Sequence, residues 1–176
     1  MDFHIQKKPK FNLVGYQKTL GMIDHFEDYQ GISAFWADLT EAKIDQLLSE
    51  TKEKTGGFYG VSDSNRQVAE TFDYMISVSA QGEKEIAEEL TSIQVVETSW
   101  AVFTCQGAIA NAVSTFDANK PNHLMQLKNQ LTAPWIAESL EENQQLPRIE
   151  YYPIGDMMSD EYRCELWIPL KKNEVS

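Results

Sequence analysis

Two stretches of this chain read as the same strand–loop–strand unit. Gly57 to Asp63 and Phe72 to Val78, joined by a polar linker, make the first. Arg148 to Asp156 and Tyr162 to Leu170, also joined by a polar linker, make the second. Each unit follows a helical stretch, and each helical stretch follows a strand, Asn12 to Leu20 in one case and Gln94 to Cys105 in the other. The chain therefore reads β-α-β-β twice, with half one at about 11–80 and half two at about 93–171 of a single domain, 1–176. Internal repetition is a stronger fold signal than local propensity. Two copies with sequential hairpins predict an α+β fold: one antiparallel sheet shared by the halves, helices packed on it, and a pseudo-twofold axis relating hairpins 57–79 and 148–171. A groove on such an axis is a natural ligand site. In this alignment of the halves, Tyr59 stands in half one where Glu150 stands in half two.

The first helical region carries Ile32, Phe35, Trp36 and Leu39, a 3.6-residue apolar stripe. The phase then slips to Ile44, Leu47 and Leu48, and Thr40 is placed to cap a second helix there, so two helices with a break are expected. Gly56 and Gly57 end the region. Residues 1–10 read as an arm or an edge extension. Ala80 to Thr91, with Glu83, Glu85, Glu88 and Glu89, reads as a solvated connector with room for a helical turn or two. In half two, Ala108 to Phe116 reads as a short helical segment, and Leu124, Leu127, Leu131 and Trp135 form a longer stripe in which Pro134 predicts a kink.

Glu150 is the residue with the most chemistry in prospect. It sits mid-strand in Pro147-Arg148-Ile149-Glu150-Tyr151-Tyr152, next to a strand carrying Trp167. Burying a carboxylate among apolar groups costs several kcal/mol or forces protonation. Ringed by aromatic faces, such a group attracts a cationic guest. The bland alternative places Glu150 on a wet strand face. Parity puts Glu150 with Tyr152, Glu165 with Trp167, Tyr59 with Val61, and Met75 with Ser77.

Composition narrows the classes. Acidic residues outnumber basic ones 27 to 15, for a formal charge of −12. That argues against direct nucleic-acid binding, which depends on cationic contacts to phosphate, and favours the approach of cationic small molecules to any cleft. The bland account of the acidity is solubility. The two cysteines, Cys105 and Cys164, lie in expected strands and read as reduced, unpaired small hydrophobes. The N-terminus lacks the apolar run of a signal peptide and no segment approaches the ~20 apolar residues of a membrane span, so a cytoplasmic location is expected, with no membrane partner. His4, His25 and His123 are scattered without metal-ligand spacing, and neither a phosphate loop nor a dinucleotide fingerprint occurs. No metal and no cofactor are expected.

Taken in order, several pieces resemble the GyrI-like effector-binding domain, also found as the ligand-sensing module of AraC- and MerR-type drug-responsive regulators. They are Val14-Gly15, Trp36, Tyr59-Gly60-Val61, Trp100-Ala101-Val102-Phe103 leading to Gly107, Trp135-Ile136, Glu150-x-Tyr152 and Leu166-Trp167-Ile168-Pro169. Trp100 departs from the tyrosine common at that position. The resemblance implies a stand-alone binder of lipophilic, cationic aromatic compounds, with Glu150 central to the groove. Parity adds Tyr152, pseudo-symmetry adds Tyr59, and the neighbouring strand adds Trp167. Met75 and Trp36 complete the expected lining, although aromatic residues on strands and helix stripes are ordinarily plain packing. Nothing resembles a DNA-reading helix-turn-helix, so any part in transcription regulation would be played without its own DNA-binding domain. The resemblance leaves two other uses open: hydrolysis of strained electrophilic compounds with Glu150 as general base, and a protein-interaction role of the gyrase-inhibitor type.

Overall fold

The structure is a computed structural model and describes residues 3–23, 26–51, 56–63, 70–81, 85–107 and 140–172. The expected helical segments of half two, with Trp135 and Pro134, lie outside the described residues, as do His25 and His123.

Half one supplies β2 (Phe11–Ile23), α1 (Tyr29–Ala37), α2 (Glu41–Glu50), β4 (Phe58–Asp63) and β5 (Thr71–Ser79). A short β3 (Phe26–Glu27) folds back on β2. Half two supplies β7 (Thr98–Gln106), β8 (Arg148–Tyr152) and β9 (Arg163–Pro169). The two leading strands, β1 (Phe3–Lys8) and β6 (Thr91–Val95), precede β2 and β7. All belong to one antiparallel nine-stranded sheet in the order β1-β7-β9-β8-β4-β5-β2-β3, with β6 on β2. The six repeated strands run β7-β9-β8 on one side and β4-β5-β2 on the other, the same sequence outward from the central β4–β8 pair. That is the expected twofold arrangement, with the hairpins side by side in one sheet.

The leading strands are exchanged between the halves. β1 pairs with β7 and β6 pairs with β2, in a register running from Phe3↔Phe103 to Gly15↔Thr91. The expected edge extension is thus strand β1.

The two helices break where the phase of the apolar stripe slips. Thr40 is the N-cap of α2, accepting a hydrogen bond from the Lys43 amide at 3.2 Å, and Asp28 caps α1 in the same way. Ile32 and Trp36 of α1 and Leu47 of α2 are buried against one face of the sheet with Tyr74, Ile76, Tyr152, Leu166 and Ile168. The connector departs from the expectation. Its described residues hold no helix, Leu90 is buried, and Ile86 and Ala87 pack on the core. The apolar residues spaced through the glutamates pull the chain inward. Cys105 and Cys164 are buried, free and opposite one another on β7 and β9. Among the described residues no helix is long and apolar enough to cross a membrane.

Candidate functional site

Glu150 is 1% exposed, on the helix-covered face at the central seam of the sheet. Its neighbours across the strands are Gly60 of β4 and Leu166 of β9. Two phenols meet its carboxylate. The Tyr74 hydroxyl donates to Oε2 at 2.7 Å, and the Tyr152 hydroxyl donates to the same oxygen at 2.8 Å. The Trp36 indole N–H donates to the Tyr74 oxygen at 2.9 Å, which orients that phenol toward the carboxylate. Buried polar groups that satisfy one another in this way hold a single geometry, because each lost partner leaves a desolvated group behind.

Gly60 makes the contact possible. A Cβ there would stand 2.2 Å from the Tyr74 hydroxyl and 2.6 Å from Glu150 Oε2. Any side chain at this position collides with the carboxylate–phenol pair. The rings around it pack edge to face: Trp36 with Tyr152 at 5.2 Å, Trp36 with Phe58 at 6.4 Å, and Phe35 with Tyr74 at 6.3 Å. The result is an aromatic chamber filled by its own rings, with a carboxylate on its floor and α1 as its cover.

Burial, and then the Glu150 charge, push the Tyr74 and Tyr152 hydroxyls well above the ordinary tyrosine range, so both stay protonated as donors. The cation nearest along the strand is committed elsewhere: Arg148 grips Glu142 through two hydrogen bonds of 2.7 and 2.8 Å. A second buried carboxylate, Glu27, accepts from Ser62 Oγ at 3.2 Å, and its charge also reaches Tyr74.

Of the six residues expected together, three meet: Glu150, Tyr152 and Trp36. Tyr59, Trp167 and Met75 do not join them. Tyr59 pairs with Tyr151, Trp167 with Ile149, and Met75 with Val61, which places all three on the opposite face of the sheet. A twofold axis normal to a sheet keeps every side chain on its own face, and the residue facing Glu150 is Gly60. Aligning Tyr59 with Glu150 was therefore one residue out of phase, and one residue reverses the face. Nor does Glu150 stand unpaired, since two tyrosines hold it. Tyr74 was missed, although the sequence marks it. Phe72, Tyr74, Ile76 and Val78 alternate as one wholly apolar or aromatic set, whereas Asp73, Met75 and Ser77 are mixed. The former set belongs under the helices.

Among the described residues no group of three or more His, Cys, Asp or Glu could hold a metal ion.

Comparison with known proteins agrees with this architecture. The family described as GyrI-like small molecule binding domain matches residues 1–171. No curated protein matches the sequence at a significant level. The structure of SAV2435 bound to tetraphenylphosphonium superposes with a TM-score of 0.76 at 24% identity, over 99% of this chain and 96% of that one. A putative bacterial transcription regulation protein from Staphylococcus aureus MU50 gives 0.71 at 24% identity, over 98% and 99%. The EcmrR C-terminal domain gives 0.62 at 8% identity, over 97% and 98%. At these identities the structures share the fold.

Proposed function

Because this chain belongs to the GyrI-like small molecule binding domain family, we propose that it binds lipophilic aromatic cations in the chamber around Glu150. Tyr74 and Tyr152 fix the carboxylate, and Trp36 is the cover that a ligand displaces. The observation that carries this reading is a carboxylate only 1% exposed, held by two phenols beneath an indole. An arriving cation replaces ring contacts with ring contacts and adds a charge-assisted contact to Glu150. Arg148 does not compete for that carboxylate, being held by Glu142. The tetraphenylphosphonium complex of SAV2435, which shares the fold, supports this ligand class.

Such a site selects by charge and area, with little directional hydrogen bonding, so a broad set of cations is expected. Covering Glu150 also sets a threshold. A ligand must bring enough apolar area to offset the displaced Trp36, which excludes small hydrophilic ammonium ions.

Calorimetric titration with tetraphenylphosphonium and with neutral triphenylphosphine oxide tests the reading. Glu150→Gln is expected to weaken the phosphonium by about tenfold to a hundredfold and to change the neutral compound much less. Equal phosphonium affinity in wild type and variant would overturn the role given to Glu150.

A further inference from the structure

The face turned away from α1 and α2 carries a second set of the same chemical parts. Tyr59, Tyr151 and Glu165 stand in one row across β4, β8 and β9, and Val61, Ile149 and Trp167 in the next. Around Trp167 the rings close up: Tyr59 at 5.8 Å, Tyr151 at 5.7 Å and Phe11 at 6.2 Å, with Tyr59 and Tyr151 themselves 4.9 Å apart. Tyr59, Tyr151 and Phe11 are half-buried at the rim of a second buried core that includes Trp167, Val61, Met75, Trp100 and Ile149. The Trp167 indole is fixed by donating to Glu165 Oε2 at 2.7 Å. Over the Trp167 ring, 4.1 Å from its centroid, lies the ammonium of Lys8.

Lys8 shows what this surface accepts. An ammonium at that distance over an indole face sits within cation–π range, and a carboxylate lies beside it. Lys8 reaches the ring from the last residue of edge strand β1, just before Pro9. We infer that the Trp167–Tyr59–Tyr151–Glu165 surface is a second cation site, specific for organic ammonium groups, and that Lys8 is its tethered occupant in the ligand-free protein.

The occupant is held loosely. Burial lowers the Lys8 pKa against the opposing pull of Glu165, so the ammonium gives up hydration that its surroundings do not fully return. Its stem is flexible, and withdrawal to solvent breaks no strand pairing. The two sites differ in their access. The chamber at Glu150 lies under a helix and demands a large lipophilic guest, whereas the Trp167 ring, 5% exposed, is capped by the Lys8 side chain and flanked by half-buried tyrosines, and suits a small quaternary ammonium that takes the place of that one side chain. The inference is independent of the proposal for Glu150.

The probe is benzyltrimethylammonium, followed by calorimetry and by the indole N–H resonance of Trp167 in the full chain. Lys8→Met removes the tethered cation without removing a ring. It is expected to bind the probe about tenfold more tightly than wild type, since a displaceable cation–π contact is worth up to about a decade in affinity. The gain should vanish in Lys8→Met with Trp167→Leu, and separately in Lys8→Met with Tyr59→Leu should Trp167→Leu fail to fold. It should persist in Lys8→Met with Glu150→Gln, which separates this surface from the chamber. Unchanged affinity in Lys8→Met, or a gain that survives loss of Trp167 and of Tyr59, would overturn the inference.

Discussion

The two faces of the central strands hold nearly the same inventory, a carboxylate among tyrosines and a tryptophan, and use it in opposite ways. On the helix side Glu150 is buried, its Oε2 receives two phenol hydrogen bonds, and Trp36 closes over it. On the other side Trp167 is also buried, its indole donates to Glu165, and the Lys8 side chain supplies a cation from within. The chemistry of the parts does not separate the two. Among the described residues, what separates them is the cover, α1 over Glu150 and the Lys8 side chain over Trp167. Under a helix the carboxylate needs internal donors to be tolerated, and tyrosines provide them without cancelling its charge. On the other face the half-buried Glu165 accepts from the Trp167 indole and feels the charge of Lys8.

The largest expected effect that would break this comparison comes from Gly60. Gly60→Val drives methyl groups into the Tyr74 hydroxyl and Glu150. It should cost about 3 kcal/mol or more of stability by urea denaturation, since overpacking and a disrupted buried network add. The opposite face offers a control, because Val61→Ile at the neighbouring position lacks that network and should cost about 1 kcal/mol. Equal costs would mean that the Glu150 network contributes nothing of its own.

Next in size is Tyr74→Phe. It removes one donor from the carboxylate and the acceptor of the Trp36 indole, so two buried groups lose a partner. A loss of about 2–3 kcal/mol is expected, against about 1–2 for Tyr152→Phe, which removes a single bond. Chemical denaturation of both variants ranks them, and the reverse order would show that Trp36 does not depend on Tyr74.

An alkaline titration sharpens the contrast further. The folded-state pKa values of Tyr74 and Tyr152 lie well above 10, while in the unfolded chain both ionise near 10. Above pH 10 the unfolded state has therefore lost protons that the folded state keeps. Their contribution to stability is complete below pH 10 and falls as pH rises, at up to about 1.4 kcal/mol per pH unit for each tyrosine. Replacing either by phenylalanine should flatten the decline by its own share, measured as the denaturation midpoint at pH 9, 10 and 11.

The smallest effect is expected at Lys7, whose exposed pair with Glu97 spans 3.1 Å between β1 and the β6–β7 connection. Lys7→Met should leave stability unchanged within a few tenths of a kcal/mol and should not reproduce the ligand gain of Lys8→Met. A gain equal to that of Lys8→Met would show that net charge on β1, and not the position over Trp167, governs binding.

The hairpins, the helix break at Thr40 and the pairing of Glu150 with Tyr152 were legible because each is written locally, in strand parity or in a capping residue. The grouping of Tyr59 and Trp167 with Glu150 failed for a physical reason. Parity within a strand is local, whereas the phases of β4 and of β9 relative to β8 are set by the hydrogen-bond registers Gly60↔Glu150 and Glu150↔Leu166. Only Gly60 hinted at the first register, as the one residue small enough to face a carboxylate and a phenol together. The sealing of Glu150 by Tyr74 is equally nonlocal, joining residues 76 apart in sequence.

The exchange of the leading strands has a mechanical consequence. Because β1 leads into half one yet hydrogen-bonds to half two, and β6 leads into half two yet hydrogen-bonds to half one, the halves are clasped at their outer ends as well as joined at β4–β8. A hinge along the central seam would have to unzip both outer pairings at once. With the sheet held as a frame, admission of a guest at the two proposed sites falls to what lies on it: the α1 cover on one side, the Lys8 side chain on the other. Two doors can open separately in a frame that does not bend, so occupation of one need not be felt at the other.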